Sequence, residues 1–189
     1  MKFILLSFFY LLIFSAFSQG KYEKEKRIRK SKAPTDAVRF IDYFTDEKVK
    51  WFFEEGSEGL SYEAKFELEE HNYSIEFDTS GRVKDVEILI HLDEIEEITR
   101  DSVIGFFSYN FSEYRIQKIQ IQYVGSEDQL KLLKRSQGAY FGQYSIVYEI
   151  VVKGKNEGIT KLYEFQFNQQ GTVIRKQEVI FRNSDNLEY

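Results

Sequence analysis

Tyr62-Glu63-Ala64-Lys65-Phe66-Glu67-Leu68-Glu69 alternates an apolar with a charged residue at every step. In an extended backbone successive side chains point to opposite sides, so the four apolar groups share one face and the four charges the other. The stretch reads as a strand that is oily on one side and wet on the other. The same period runs upstream through Val49, Trp51 and Phe53. Downstream it runs through Tyr73, Ile75 and Phe77, then Val86, Ile88 and Ile90. Four such strands in succession predict an antiparallel sheet with one buried face. A helix ahead of them can supply the cover, because Thr35 is a capping residue and Val38, Phe40, Ile41 and Phe44 recur at helical spacing.

A second round starts at Leu92. Residues 93–111 carry Ile95, Ile98, Val103, Phe106, Phe107 and Phe111 at helical spacing, with a break expected near Thr99. Ile119, Ile121 and Tyr123 then alternate with Gln120 and Gln122 as a strand. Ser126 with Gln129 is a capping-box pair that opens a short helix ended by Gly138. Strands follow through Tyr144 to Lys153, Lys161 to Phe167 and Val173 to Phe181. Tyr73 to Ile90 aligns without gaps on Tyr163 to Ile180, matching Tyr73 with Tyr163, Phe77 with Phe167, Gly81 with Gly171, Val83 with Val173 and Ile90 with Ile180. Asp78 and Asn168 each stand three residues before the shared Gly, as in a tight turn. The expectation is an α+β fold of two tandem related units, each a helix plus an antiparallel sheet, with the helices packed on one sheet face. The first unit spans 34–90 and the second 91–182, with an inserted helix over 126–138 and a polar tail over 183–189.

Ahead of the fold, residues 1–18 show one Lys, an apolar run and small residues at Ala16 and Ser18, the pattern of a cleavable secretory signal. The apolar run from Phe3 to Phe14 is shorter than the roughly 20 residues a membrane span needs. With no cysteine in the chain there is neither a disulfide framework nor a lipidated cysteine, so no stable membrane anchor is expected after cleavage. Without Lys2 the chain carries 25 basic and 31 acidic side chains. Residues 21–32 hold seven Lys or Arg and two Glu, and residues 19–33 read as a basic flexible linker ahead of an acidic body.

These residues carry a family resemblance. Lys48-Val49-Lys50-Trp51 with Glu54, Tyr62-Glu63-Ala64-Lys65-Phe66, Tyr73 to Gly81 with Phe77-Asp78, and Val86-Glu87-Ile88 together resemble the PepSY-like proteins secreted by Bacteroidetes-type bacteria, which are similar in fold to β-lactamase inhibitor proteins. The likeness covers roughly residues 34–181. It implies helix-plus-sheet halves with a polar sheet face free for a protein partner, and it carries over no catalytic residue. The second half departs from the pattern in having Asn168 for the turn Asp, no Trp after Tyr114, and extra residues from Ser126 to Gly142.

Signatures of chemistry are sparse. His71 and His91 are the only histidines and have no partner at ligand spacing. The run Asp93, Glu94, Glu96, Glu97 lacks the alternating oxygens and Gly of a calcium loop and reads as a solvated first helical turn. No Gly-x-Ser-x-Gly or phosphate-cradling loop occurs, and basic residues do not cluster with stacking aromatics as nucleic-acid binding requires. Three aromatics are candidates for partner binding. Tyr140 and Phe141 lie between glycines in a loop, where the alternative is that they tuck over the core edge. Phe52 falls on the charged side of its strand. The expected function is an exported, monomeric, non-enzymatic module in the periplasm or outside the cell, with no cofactor. It would bind an extracytoplasmic protein through its open sheet face, inhibition being one form this takes. The alternative is a carrier that encloses a small molecule or lipid in an apolar cavity.

Overall fold

A computed structural model of the chain describes residues 23–57, 59–136 and 144–179. Nine strands, Glu23–Ile28 (β1), Lys50–Gly56 (β2), Gly59–Leu68 (β3), His71–Phe77 (β4), Val83–Leu89 (β5), Glu113–Val124 (β6), Ser145–Asn156 (β7), Ile159–Asn168 (β8) and Val173–Glu178 (β9), form one sheet in sequence order. Every neighbouring pair is antiparallel. Helices are few and short: Thr35–Phe44 (α1), Glu97–Asn110 (α2), Glu127–Lys131 (α3) and Leu133–Ser136 (α4), with 3-10 turns at Lys30–Lys32 and Leu92–Glu94.

This architecture overturns the expected pair of tandem helix-plus-sheet units. Across the boundary drawn at residue 90, β5 and β6 are paired in register, Asp85 with Val124, Glu87 with Gln122 and Leu89 with Gln120. The hydrogen-bonded ladder therefore runs through every neighbouring pair from β1 to β9. Alternation specifies which side of a strand is oily but not which strand lies beside it. Two separate sheets would leave two more unpaired edges, and merging them removes both.

The basic stretch differs from expectation too. Residues 23–28 are strand β1, with Lys26 opposite Phe53 and Ile28 opposite Trp51. Its alternating Glu and Lys residues bury little, but its backbone completes the ladder of β2, and Glu25 is held by Lys65 at 2.7 Å. The helix expected over 93–111 is interrupted at Ile95 and Glu96, where the 3-10 turn gives way to α2. The capping box before α3 forms: Ser126 N–H donates to Gln129 Oε1 at 2.7 Å and Gln129 N–H to Ser126 Oγ at 3.4 Å.

The oily face is closed by direct ring contact. From α1, Phe40 meets Phe77 edge-on at 5.7 Å and Phe44 lies 6.0 Å from Phe66. From α2, Phe107 packs edge-on against Phe165 at 5.3 Å and Phe167 at 5.5 Å. Trp51, Phe66, Phe77 and Phe167 are all buried. Each such side chain removed from water contributes about 1.5–3 kcal/mol.

Two hairpin turns seat these helices, and they agree bond for bond. Asp78 Oδ1 accepts from the N–H of Ser80 and Arg82, and Asn168 Oδ1 from the N–H of Gln170 and Thr172. Gly81 and Gly171 follow at positive φ. A Cβ on Gly81 would meet the start of α1 at Pro34 and Ala37, and one on Gly171 the first turns of α2 at Thr99 and Ser102. The glycines thus permit both a left-handed turn and the close approach of a helix.

Candidate functional site

The other face of the sheet has a different chemistry. Register places three rows of side chains across it. One runs Lys65, Ser74, Glu87, Gln122, Val147, Asn168 from β3 to β8. A second runs Leu89, Gln120, Glu149, Gln166, Arg175 from β5 to β9. The third is Phe52, Glu63, Glu76, Asp85, Val124 from β2 to β6. The buried apolar residues of α1, α2 and α3, among them Phe40, Phe44, Val103, Phe107 and Leu130, belong to the core on the opposite side. Even so, Glu63, Asp85, Gln120, Glu149 and Glu164 are buried, because long polar side chains lie over one another.

At the β1–β4 side cations reach the carboxylates. Lys65 Nζ lies 2.7 Å from Glu25 Oε1 and 2.8 Å from Glu63 Oε2. Burial pushes the Glu63 carboxyl up, but hydrogen bonds from Glu54, Lys65 and Ser74 and the charge of Lys65 outweigh it and leave it lowered. Burial alone would lower Lys65, yet Glu63 and Glu25 raise it, so the ammonium is firmly held. Lys84 pairs with Glu76 at 2.6 Å.

At the β5–β8 centre amides reach the carboxylates. Gln120 Nε2 donates to Glu87 Oε2 at 2.8 Å. Gln122 Nε2 donates to Asp85 Oδ2 at 3.2 Å and to Glu87 Oε1 at 3.3 Å, and Gln166 Nε2 to Glu149 Oε2 at 3.4 Å. Burial raises the Asp85 carboxyl, up to about 8, with Glu76, Glu149 and Glu63 adding to it and Lys84 opposing. Glu87 is raised for the same first reason, with Glu149, Asp85 and Glu63 adding and Lys118 opposing. Asp85 Oδ1 and Gln177 Oε1 are buried without a hydrogen-bond partner among the described residues.

Among the described residues one trio of potential metal ligands converges, Glu25, Glu54 and Glu63. The Lys65 ammonium already stands between Glu25 and Glu63, which makes this an ion-pair network and a poor cation cage. The histidines are engaged elsewhere. His71 lies 3.1 Å from Glu94 Oε1 and 2.9 Å from the Glu69 carbonyl, and the His91 N–H donates to Glu94 at 2.5 Å. Glu94, from the acidic run, is thus occupied by the two histidine residues.

Of the residues singled out by sequence, Phe52 lies half-buried on the open face beside Glu63, with the Lys65 ammonium 4.9 Å above its ring. Tyr140 and Phe141 lie outside the described residues, as do residues 1–18, read as a signal, and residues 183–189, read as a polar tail. The central group of Asp85, Glu87, Gln120, Gln122 and Glu149 was missed. Each occupies an outward position of its strand, but only the β5–β6 and β6–β7 registers bring them together.

No family model matches this chain, and no curated protein does. Solved structures do. A DUF2874 family protein from Bacteroides ovatus superposes with a TM-score of 0.54 at 13% identity, over 77% of this chain and 87% of that one. The chain shares its fold with that protein. A second structure, from Bacteroides eggerthii and provisionally named periplasmic, gives 0.52 at 15% identity, over 77% of this chain and 88% of its own. A looser likeness, 0.46 at 13% identity over 82% and 92%, is to a BLIP-like protein from Bacteroides fragilis. No helix among the described residues is long and apolar enough to cross a membrane.

Proposed function

We propose that this chain is an exported, non-enzymatic binding module of the PepSY-like kind, working in the periplasm or outside the cell, that receives a protein partner on the open face of its sheet. One observation carries the reading. A broad polar face, built from six or more strands and without helix cover among the described residues, holds buried side chains in an ordered network, and at its centre the Asp85 Oδ1 acceptor has no hydrogen-bond partner among those residues. Ordered polar groups around a desolvated middle, with Val124, Val147 and Leu89 interspersed, are what a protein interface needs. The carrier alternative requires space between helices and sheet, and ring-to-ring contact of Phe40 with Phe77 and Phe107 with Phe165 occupies that space.

Photo-crosslinking in intact cells tests the proposal. A photoreactive residue at Val147 or Val151, both on the open face, is expected to yield a discrete adduct. The same residue at Ile98 or Tyr109, which are 73% and 90% exposed on α2, is expected to yield none. Adducts from the α2 positions alone would refute the assignment of the face. Whether the captured protein is an enzyme that loses activity on binding decides the inhibitory form.

A further inference from the structure

We infer that the centre of this face, Asp85, Glu87 and Glu149 with Gln120 and Gln122 between them, is a seat for a cationic segment of the partner, arginine in particular. The inference rests on the sheet-face reading above and names the chemistry of what binds there. Three features of the face point the same way. First, its charges are not distributed uniformly: on the β1–β4 side Lys65 pairs with Glu25 and Glu63 and Lys84 with Glu76, whereas Asp85 and Glu87 have no cation within 4 Å among the described residues. Second, the unfilled valences are acceptors. Asp85 is 7% exposed and its Oδ1 has no hydrogen-bond partner among the described residues, nor has Gln177 Oε1 further along the same face, so the ionised face can accept donors that a guest brings. Third, the carboxylates are strung along β5 and β7 and do not converge as the Glu25 trio does, so they suit spaced side-chain cations better than a single metal ion.

Arginine fits this demand better than lysine. Its planar fork carries five donors and can serve a carboxylate and a neighbouring amide oxygen together, and it loses less hydration on burial than an ammonium. The guest also relieves a standing cost. Asp85 faces Glu63 from β3, Glu76 from β4, Lys84 on its own strand, Gln122 from β6 and Glu149 across the face; Glu87 faces Asp85, Glu63, Glu149 and Lys118. In the free protein this crowding favours the protonated carboxyls, and a cation seated among them expels those protons. Binding therefore strengthens as pH rises from 6 to 9.

The test titrates the purified, isotopically labelled protein with capped hexa-arginine, hexa-lysine and hexa-glutamate peptides and follows amide shifts. Hexa-arginine is expected to move amides of β5 to β8, hexa-lysine to do so with weaker affinity, and hexa-glutamate to move nothing. Asp85→Asn and Glu87→Gln together are expected to weaken hexa-arginine about tenfold while raising resistance to urea above pH 7, since a buried charge has been removed. A defect of folding could not give that combination. The control, Asp93→Asn with Glu97→Gln, removes two surface charges elsewhere and is expected to leave affinity within about twofold. Equal weakening by the control, or shifts scattered over all acidic surfaces, would mean bulk attraction and would overturn the proposal. If the crosslinked partner docks on Val147 but presents no Arg or Lys to Asp85, the cationic seat is wrong and the sheet-face reading survives. If both peptide and partner map to α2, both are wrong.

Discussion

Replacing Gly171 by Ala isolates the contact that holds α2 on the sheet. Gly171 sits at φ +73° in the turn between β8 and β9, and an added Cβ would lie 2.5 Å from Ser102 Cβ and 2.9 Å from the Thr99 carbonyl oxygen. Thr99 is itself fixed, buried and donating its hydroxyl to the Gln169 carbonyl at 2.5 Å. Two costs follow. A non-glycine residue in the left-handed region costs about 1 kcal/mol. A clash with backbone cannot be relieved by a rotamer change, so α2 must shift off Phe165 and Phe167, which costs a further 1–3 kcal/mol or so. Gly158, at φ +80° with nothing within 4 Å of its added Cβ, incurs only the first. Urea unfolding followed by Trp51 fluorescence and far-ultraviolet dichroism should therefore show Gly158→Ala losing about 1 kcal/mol and Gly171→Ala about 2–4 kcal/mol. Trp51 lies seven strands from β9, so coincidence of the two signals also reports that the sheet unfolds as one unit. Equal losses for the two variants would refute the seating of α2 on this turn.

Phe107→Ala empties a fully buried site ringed by Phe106, Phe111, Tyr114, Phe165 and Phe167. Chemical denaturation should show a loss of about 3–5 kcal/mol, and a loss under 1 kcal/mol would contradict the packing. Hydrogen bonds from Ser80 and Arg82 hold the Asp78 carboxyl well below 3.8. Because folding lowers this pKa, its contribution is present above about pH 3.8 and is lost as pH falls through the folded value. Asp78→Asn, which copies Asn168, should be near neutral at pH 7 and should soften acid unfolding; an unchanged acid profile would count against the turn geometry. Both neighbours of the His71 ring are acceptors, the Glu69 carbonyl and the Glu94 carboxylate, so its pKa is raised above 6.5. That contribution is present below about pH 6.5 and fades as pH rises through the folded value. Nuclear magnetic resonance titration should place His71 above 6.5 and show Glu94→Gln lowering it.

Much of this fold was legible because alternation is a direct imprint of burial. Apart from Phe53, the alternating apolar residues read from Trp51 to Ile90 and from Ile119 to Tyr123 line the core, as do Phe165, Phe167 and Val173, and the turns at Gly81 and Gly171 fall where Asp78 and Asn168 placed them. What alternation could not show was adjacency. Nothing in Val86-Glu87-Ile88 says that β6, more than thirty residues on, lies beside it, and from that gap came the mistaken division into two units. Strand β1 was hidden for a related reason, since its Glu and Lys residues carry no apolar period and are held by backbone pairing and the Glu25–Lys65 ion pair. The acidic centre was hidden twice over. Acids are abundant in the chain, and only the registers that unite Asp85, Glu87 and Glu149 distinguish these from the rest. Phe52 could be placed on the charged side from its strand alone, but its cap, Lys65, required the β2–β3 pairing.

The seam between β5 and β6 joins the nine strands into one sheet and assembles the carboxylate-and-amide centre on its open face. Cross-strand nuclear Overhauser contacts in the labelled protein measure it directly. The account expects contacts in the register Asp85 with Val124, Glu87 with Gln122 and Leu89 with Gln120, as strong as those within the β3–β4 and β7–β8 hairpins. Strong contacts within those hairpins and none across the seam would contradict it.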